Sequence, residues 1–204
     1  MFELPGSEGM VRGLFFADFH GKEEIVDALH AKAEKIVKAV DVVFVEFFEQ
    51  GVDLTDKDEK AIKKSLTTYL LREPKKASKQ ELEEHEKTSA KHAKAIMAIA
   101  AAAKSAGKQV LGIETKDAHK VDVFQRMLKK FNNVWLDHIM KTCSGPPPLS
   151  FALFAGQAHG KAIMTLSYPE KAKGYSCPLQ MSGYYVDSTK KWKSFDITKA
   201  LPYS

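Results

Sequence analysis

At 204 residues the chain is long enough to bury the core of one domain without staples, so a single domain over residues 1–204 is the expectation. Its two cysteines, Cys143 and Cys177, have neither CxxC spacing nor clustered histidines, which excludes a disulfide framework and a structural zinc site. The formal charge of +5 is dispersed, lysines alternating with glutamates as in Lys75 to Lys94, and no RNP motif, zinc finger or basic zipper region is present, so nucleic acid is not an expected partner.

The N-terminus, Met1 to Arg12, lacks a basic stretch followed by an apolar run and a small-residue cleavage site. The longest apolar run, Ala93 to Ala103, contains Lys94 and falls short of the roughly 20 residues of a membrane span. The expectation is a soluble, cytoplasmic chain, with a secreted effector making peripheral membrane contact as the alternative.

The first predicted strand, Leu14 to Ala17, runs into Asp18 and His20. Gly21 and the acids Glu23 and Glu24 then open a helix to about Val40, with Ile25, Val26, Leu29, Ala33, Ile36 and Val37 forming a stripe of period 3.6. The uninterrupted run Val42 to Val45 reads as a strand buried on both faces and ends on Glu46. Thr55, as cap, and the acids Asp56 and Asp58 predict a helix to Arg72. A long helix over about Ser78 to Ser105 begins charged, turns alanine-rich and stops at Gly107.

The third strand, Gln109 to Ile113, ends on Glu114; helices are predicted from about Asp117 to Lys130 and from Asn133 to Thr142. Pro146, Pro147 and Pro148 lead into the fourth strand, Phe151 to Phe154, which runs into Gly156 and His159. A helical segment to about Leu166 and short edge strands over Gly174 to Ser182 and Tyr184 to Asp187 follow. Alternating strands and helices predict right-handed βαβ crossovers, hence a three-layer helix-sheet-helix α/β domain with a mostly parallel sheet.

In such a sheet, ligands bind outside the carboxyl ends of the strands. Four strands here end on acids or imidazoles, and if they are neighbours, Asp18, His20, Glu46, Glu114 and His159 converge. His20 and His159 each sit beside glycine, which allows a sharp turn and close approach to a ligand. A carboxylate ending a buried strand must find a partner, which singles out Glu46 and, with similar standing, Glu114.

Two mechanisms fit these residue types. In one, His20 or Glu46 takes a proton from water, while His159 and the remaining acids orient the imidazole and stabilise charge. In the other, His20, Glu46 and His159 ligate a divalent zinc, manganese or cobalt ion that activates the water. Cys143 has no cysteine-protease context and reads as an unreactive thiol. The absence of GxSxG and GxxxxGK[ST] motifs argues against a serine hydrolase of the α/β type and a P-loop enzyme.

The order of strand-xxxHG, strand ending in Glu, long helical region, strand ending in Gly-Ile-Glu, Asn133-x-Trp135, and strand-Gly156-Gln157-Ala158-His159-Gly160 resembles a superfamily. That superfamily joins Tiki/TraB proteins, erythromycin esterases, ChaN-like haem-uptake proteins and related toxin domains; the resemblance spans about residues 11–187. It implies a hydrolase of a peptide or ester bond with His20 and His159 at the two histidine sites and Glu46 and Glu114 as acids. Two departures stand out: Ala17-Asp18-Phe19-His20 lacks the leading glycine of the Tiki pattern, and Asn132 stands where an arginine is common. The resemblance also keeps open a haem or other ligand-binding protein, or an effector or toxin domain acting on a host target.

Overall fold

The computed structural model describes residues 2–17, 23–70, 78–116, 118–121 and 129–199. Six strands form one sheet in the order β3-β2-β4-β1-β5-β6. They are β1 (Val11–Phe16), β2 (Val42–Glu49), β3 (Gln109–Glu114), β4 (Ser150–Phe154), β5 (Leu179–Val186) and β6 (Trp192–Phe195). The first five run parallel and β6 returns antiparallel to β5. The four strands whose ends carry acids or imidazoles are thus neighbours, β3-β2-β4-β1.

Each central strand is buried on both faces, which is why the sequence shows continuous apolar runs rather than alternation. Val43, Val45, Ala152, Phe154 and Phe16 face one core, shared with Ile96 and Ile99. Their strand neighbours Val42, Phe44, Leu153 and Phe15 face the other, shared with Trp135 and Ile139. The first face is covered by α1 (Glu23–His30), α2 (Ala33–Ala39), α3 (Glu59–Leu70) and α4 (Lys79–Ser105). The second is covered by α5 (Lys129–Cys143), α6 (Gln157–Ala162), a π-helical turn (Ile163–Ser167) and α7 (Tyr168–Lys171). The helix-sheet-helix architecture expected from the sequence is the architecture found.

Local rules account for most boundaries. α4 starts at a full capping box: Ser78 accepts from the Glu81 amide while the Glu81 side chain accepts from the Ser78 amide. It ends before Gly107, whose φ of +65° suits glycine. The predicted helix over Thr55 to Arg72 instead begins at Glu59. Asp58 caps it by accepting from the Ala61 amide, whereas Thr55 is drawn into a turn in which its amide and hydroxyl both donate to Asp53 Oδ1.

The single helix expected up to Val40 is broken at Ala31 and Lys32 into α1 and α2. The two short strands expected between Gly174 and Asp187 are one strand, β5, which β6 covers at the edge. Of the helix expected from Asp117 to Lys130, one 3-10 turn (Ala118–Lys120) and the start of α5 are described; residues 122–128 lie outside the described set. Among the described residues no helix is long and apolar enough to cross a membrane.

Candidate active site at the carboxyl ends of β2 and β4

Glu46 follows Phe44 by two residues and therefore shares its face of the sheet, under α5. Its carboxylate is buried, at 2% exposure, and is held from both sides. Oε2 accepts from the Gly156 amide at 2.8 Å, where the chain leaves β4, and Oε1 lies 3.5 Å from Nε2 of His159. His159, on α6, is itself buried. Its Nδ1 meets Asn132 Oδ1 at 3.0 Å, and its ring stacks on Trp135 with centroids 4.2 Å apart and planes 23° from parallel. Asn132 and Trp135 are both fully buried on α5. The imidazole is thus fixed in plane by an indole and in rotation by an amide.

This arrangement has an electrostatic consequence. In the orientation found, Asn132 Oδ1 accepts, so His159 carries a proton on Nδ1 and turns Nε2 toward the carboxylate. The buried carboxylate and the imidazole thus face each other across 3.5 Å.

Backbone geometry supports Glu46 at some cost. The residue after it, Phe47, adopts φ of +75°, an unfavourable conformation for a bulky side chain. The β2–β3 register slips between Val45 and Glu49, so the end of β2 bulges over β3. Gly112 makes room for it: a Cβ there would overlap the carbonyl oxygens of Glu49 and Phe48. Ser65 on α3 donates to the Phe47 carbonyl at 3.2 Å, and the Gln50 amide donates to the Glu114 carbonyl at 2.8 Å. In the second motif, Gly156 supplies the amide to Glu46, while Gly160 has a packing role, because a Cβ there would meet the Phe15 ring at 2.6 Å.

Of the residues singled out from the sequence, Glu46 and His159 are brought into contact. Glu114 ends the neighbouring strand β3 and is buried, at 1% exposure, so it is no solvated first-turn acid. Asp18 and His20 lie outside the described residues; the last described residue before them, Ala17, is buried at the end of β1 beside β4. Among the described residues no group of three His, Cys, Asp or Glu is arranged to hold a metal ion.

Two residues of the site went unassigned in the sequence reading. Asn132 counted there only as a missing arginine, and Trp135 only as part of a motif; the motif itself was the available signal. Trp135 Nε1 is buried with no acceptor among the described residues, leaving a donor beside the imidazole. Cys143 is excluded as a thiolate nucleophile. It is fully buried at the far end of α5, about 16 Å along the helix from Asn132. Burial, then the charge of Asp41 and the neighbouring Cys177, push its thiol up to about 12.

No protein-family model matches the chain, and no curated protein does. Among solved structures the chain is similar to the type III effector HopBA1, with 21% identity and a TM-score of 0.48 over 72% of this chain and 67% of that one. It is also similar to the C-terminal region of Pasteurella multocida toxin, described as carrying a thiol-protease-like catalytic triad, with 10% identity and a TM-score of 0.46 over 90% of this chain. The chain spans 24% of that toxin structure.

Proposed function

We propose that the chain is a hydrolase of the Tiki/TraB and erythromycin esterase type, cleaving a peptide or ester bond with Glu46 and His159 as its proton-handling pair. The observation that carries this reading is the buried array Glu46, His159 and Asn132 at the carboxyl ends of β2 and β4. Burying a carboxylate against an imidazole opposes folding unless the geometry compensates, so packing alone gives no reason for the pair.

In the reaction, a water within reach of Nε2 and Oε1 attacks the carbonyl carbon of the substrate and gives up its proton to the pair. Collapse of the tetrahedral intermediate breaks the bond to the leaving group, which receives that proton. Asn132 holds the tautomer and Trp135 the ring plane. His20 and Asp18 complete the proposal as a second imidazole and acid, the imidazole donating to the developing oxyanion and the acid orienting the water. The resemblance of the motifs to toxin domains keeps effector action, on a host peptide or ester, within the same proposal.

The pair also suits a divalent ion. Two ligands at about 2.0–2.1 Å on a tetrahedral zinc stand about 3.4 Å apart, and Nε2 and Oε1 are 3.5 Å apart. His20 would be the third ligand. When bound, the ion would supply a water acidified toward neutrality.

The test combines a panel of chromogenic esters and fluorogenic peptides with elemental analysis, on the wild type, Glu46→Gln and His159→Ala. Turnover lost in both folded variants supports the reading, and stoichiometric metal lost with it selects the metal-assisted form. Unchanged turnover in either variant overturns it. So does a wild type inert across the panel that gives a His159-dependent Soret band on haem titration, which would establish ligand binding instead.

A further inference from the structure

We propose that a cleft between α2 and the β5–β6 hairpin binds a multiply phosphorylated small molecule. The cleft has a volume of about 950 Å³, the size range of a ligand site rather than a surface dimple. Lys35 and Lys38 line it from α2 and Lys32 from the turn just before that helix, the spacing of three residues making Lys35 and Lys38 neighbours on its surface. Lys193 lines it from β6. Glu3 is the one acid among the described lining residues.

These cations are loosely engaged. Lys38 lies 3.7 Å from Glu34 with both side chains more than three-quarters exposed, and Lys193 lies 3.9 Å from Asp187. Pairs of that kind hold their lysines weakly and exchange readily for a more strongly charged anion. The floor is aromatic: Phe2 packs edge-on against Tyr184 at 5.1 Å and Trp192 at 5.4 Å. The Tyr184 hydroxyl is committed to the backbone of Glu3, accepting from its amide and donating to its carbonyl. The Trp192 Nε1 is buried with no acceptor among the described residues.

The chemistry selects the ligand class. Lysines act as point charges rather than as planar forks, so the cleft recognises charge density, not one carboxylate geometry. Lysines line the cleft from both α2 and β6, and several cations around one cleft favour a polyphosphate chain or a ring bearing several phosphates over a single phosphate. A free metabolite and the headgroup of a lipid share that chemistry.

Isothermal titration at about 150 mM salt, where long-range steering is screened, tests the assignment with sodium tripolyphosphate, ATP and inorganic phosphate. The expected result is saturable binding of the first two and at least tenfold weaker binding of inorganic phosphate. Lys35→Glu with Lys193→Glu should weaken tripolyphosphate binding at least tenfold. The charge-matched control Lys60→Glu with Lys87→Glu, at exposed positions on α3 and α4, should leave it unchanged. Vesicles containing a phosphoinositide, displaced by tripolyphosphate, would support the same cleft and identify a lipid as the source. No saturable binding, an equal loss in the control, or attachment to phosphatidylserine vesicles that tripolyphosphate does not compete would overturn the proposal.

Discussion

The carboxyl edge of β2 and β4 and the cleft beside α2 treat charge in opposite ways. At the edge, Glu46 and His159 are almost wholly removed from water, and each is met by a placed group: the Gly156 amide, Asn132 Oδ1 and the Trp135 ring. In the cleft, Lys35, Lys38 and Lys193 stay exposed and are paired weakly or not specifically. A buried charge is expensive, so its surroundings must be specified to a fraction of an ångström; an exposed charge costs little and needs only to be near others. The difference teaches where mutations will act. The edge couples chemistry to the fold, whereas the cleft can change its charge without disturbing the core.

The sharpest way to break that contrast is at the edge itself. Glu46→Gln, which keeps shape and removes charge, should lower turnover of any hydrolysed ester or peptide by about 10²–10⁴-fold, with circular dichroism unchanged. Wild-type kinetics in this variant would reduce the pair to a structural feature. Next comes Gly112→Ala. A methyl group there would overlap the carbonyls of Phe48 and Glu49, so urea unfolding should show a loss of about 1–3 kcal/mol, together with reduced turnover as the bulge following Glu46 shifts.

Asn132 separates positioning from packing. Asn132→Asp keeps an acceptor toward Nδ1 and should retain most activity; Asn132→Leu removes it and should cost about tenfold in kcat, one hydrogen bond of about 1–1.5 kcal/mol, with KM little changed. Equal kcat in the two variants would show that the amide does not hold the tautomer. At the far end of α5, the buried Cys143 thiol should react with a disulfide reagent more slowly than Cys177 in the native protein, with equal rates after unfolding. Equal native rates would mean that this end of the second core opens.

The smallest effect is on acid stability. Burial raises Asp41, but hydrogen bonds from the Ser150 hydroxyl and amide, with Lys108 and Arg12 nearby, bring it below the usual aspartate value. A depressed folded value means that its stabilisation is full above the unfolded value of about 3.9 and is lost as pH falls through the lower folded value. Asp41→Asn should therefore lower Tm near neutral pH and converge with the wild type as the pH falls well below the ordinary aspartate value. A constant gap over that fall would show that the carboxylate's charge is not what matters there.

Local interactions explain what was legible. The α4 boundaries follow from Ser78 and Glu81 at one end and Gly107 at the other, all within a turn of the element they define. The apolar run Val42 to Val45 announces a strand covered on both faces. Errors arose where competing local partners were available: Asp58 rather than Thr55 caps α3, because Asp53 had already captured Thr55. The split between α1 and α2 is visible only in the structure, and nothing in the structure explains why the chain breaks at Lys32.

By itself, then, the sequence determined the strands β1 to β4, the limits of α4 and the acids and imidazoles at the strand ends, since period, capping and turn chemistry act over a few residues. Tertiary structure alone decided that the four strand ends adjoin, that Glu46 turns toward α5 and that Asn132 is His159's partner. The deciding contacts join residues 110 and 27 positions apart. No local propensity encodes such separations; they arise when sheet order and helix packing bring distant side chains into a space from which water is excluded.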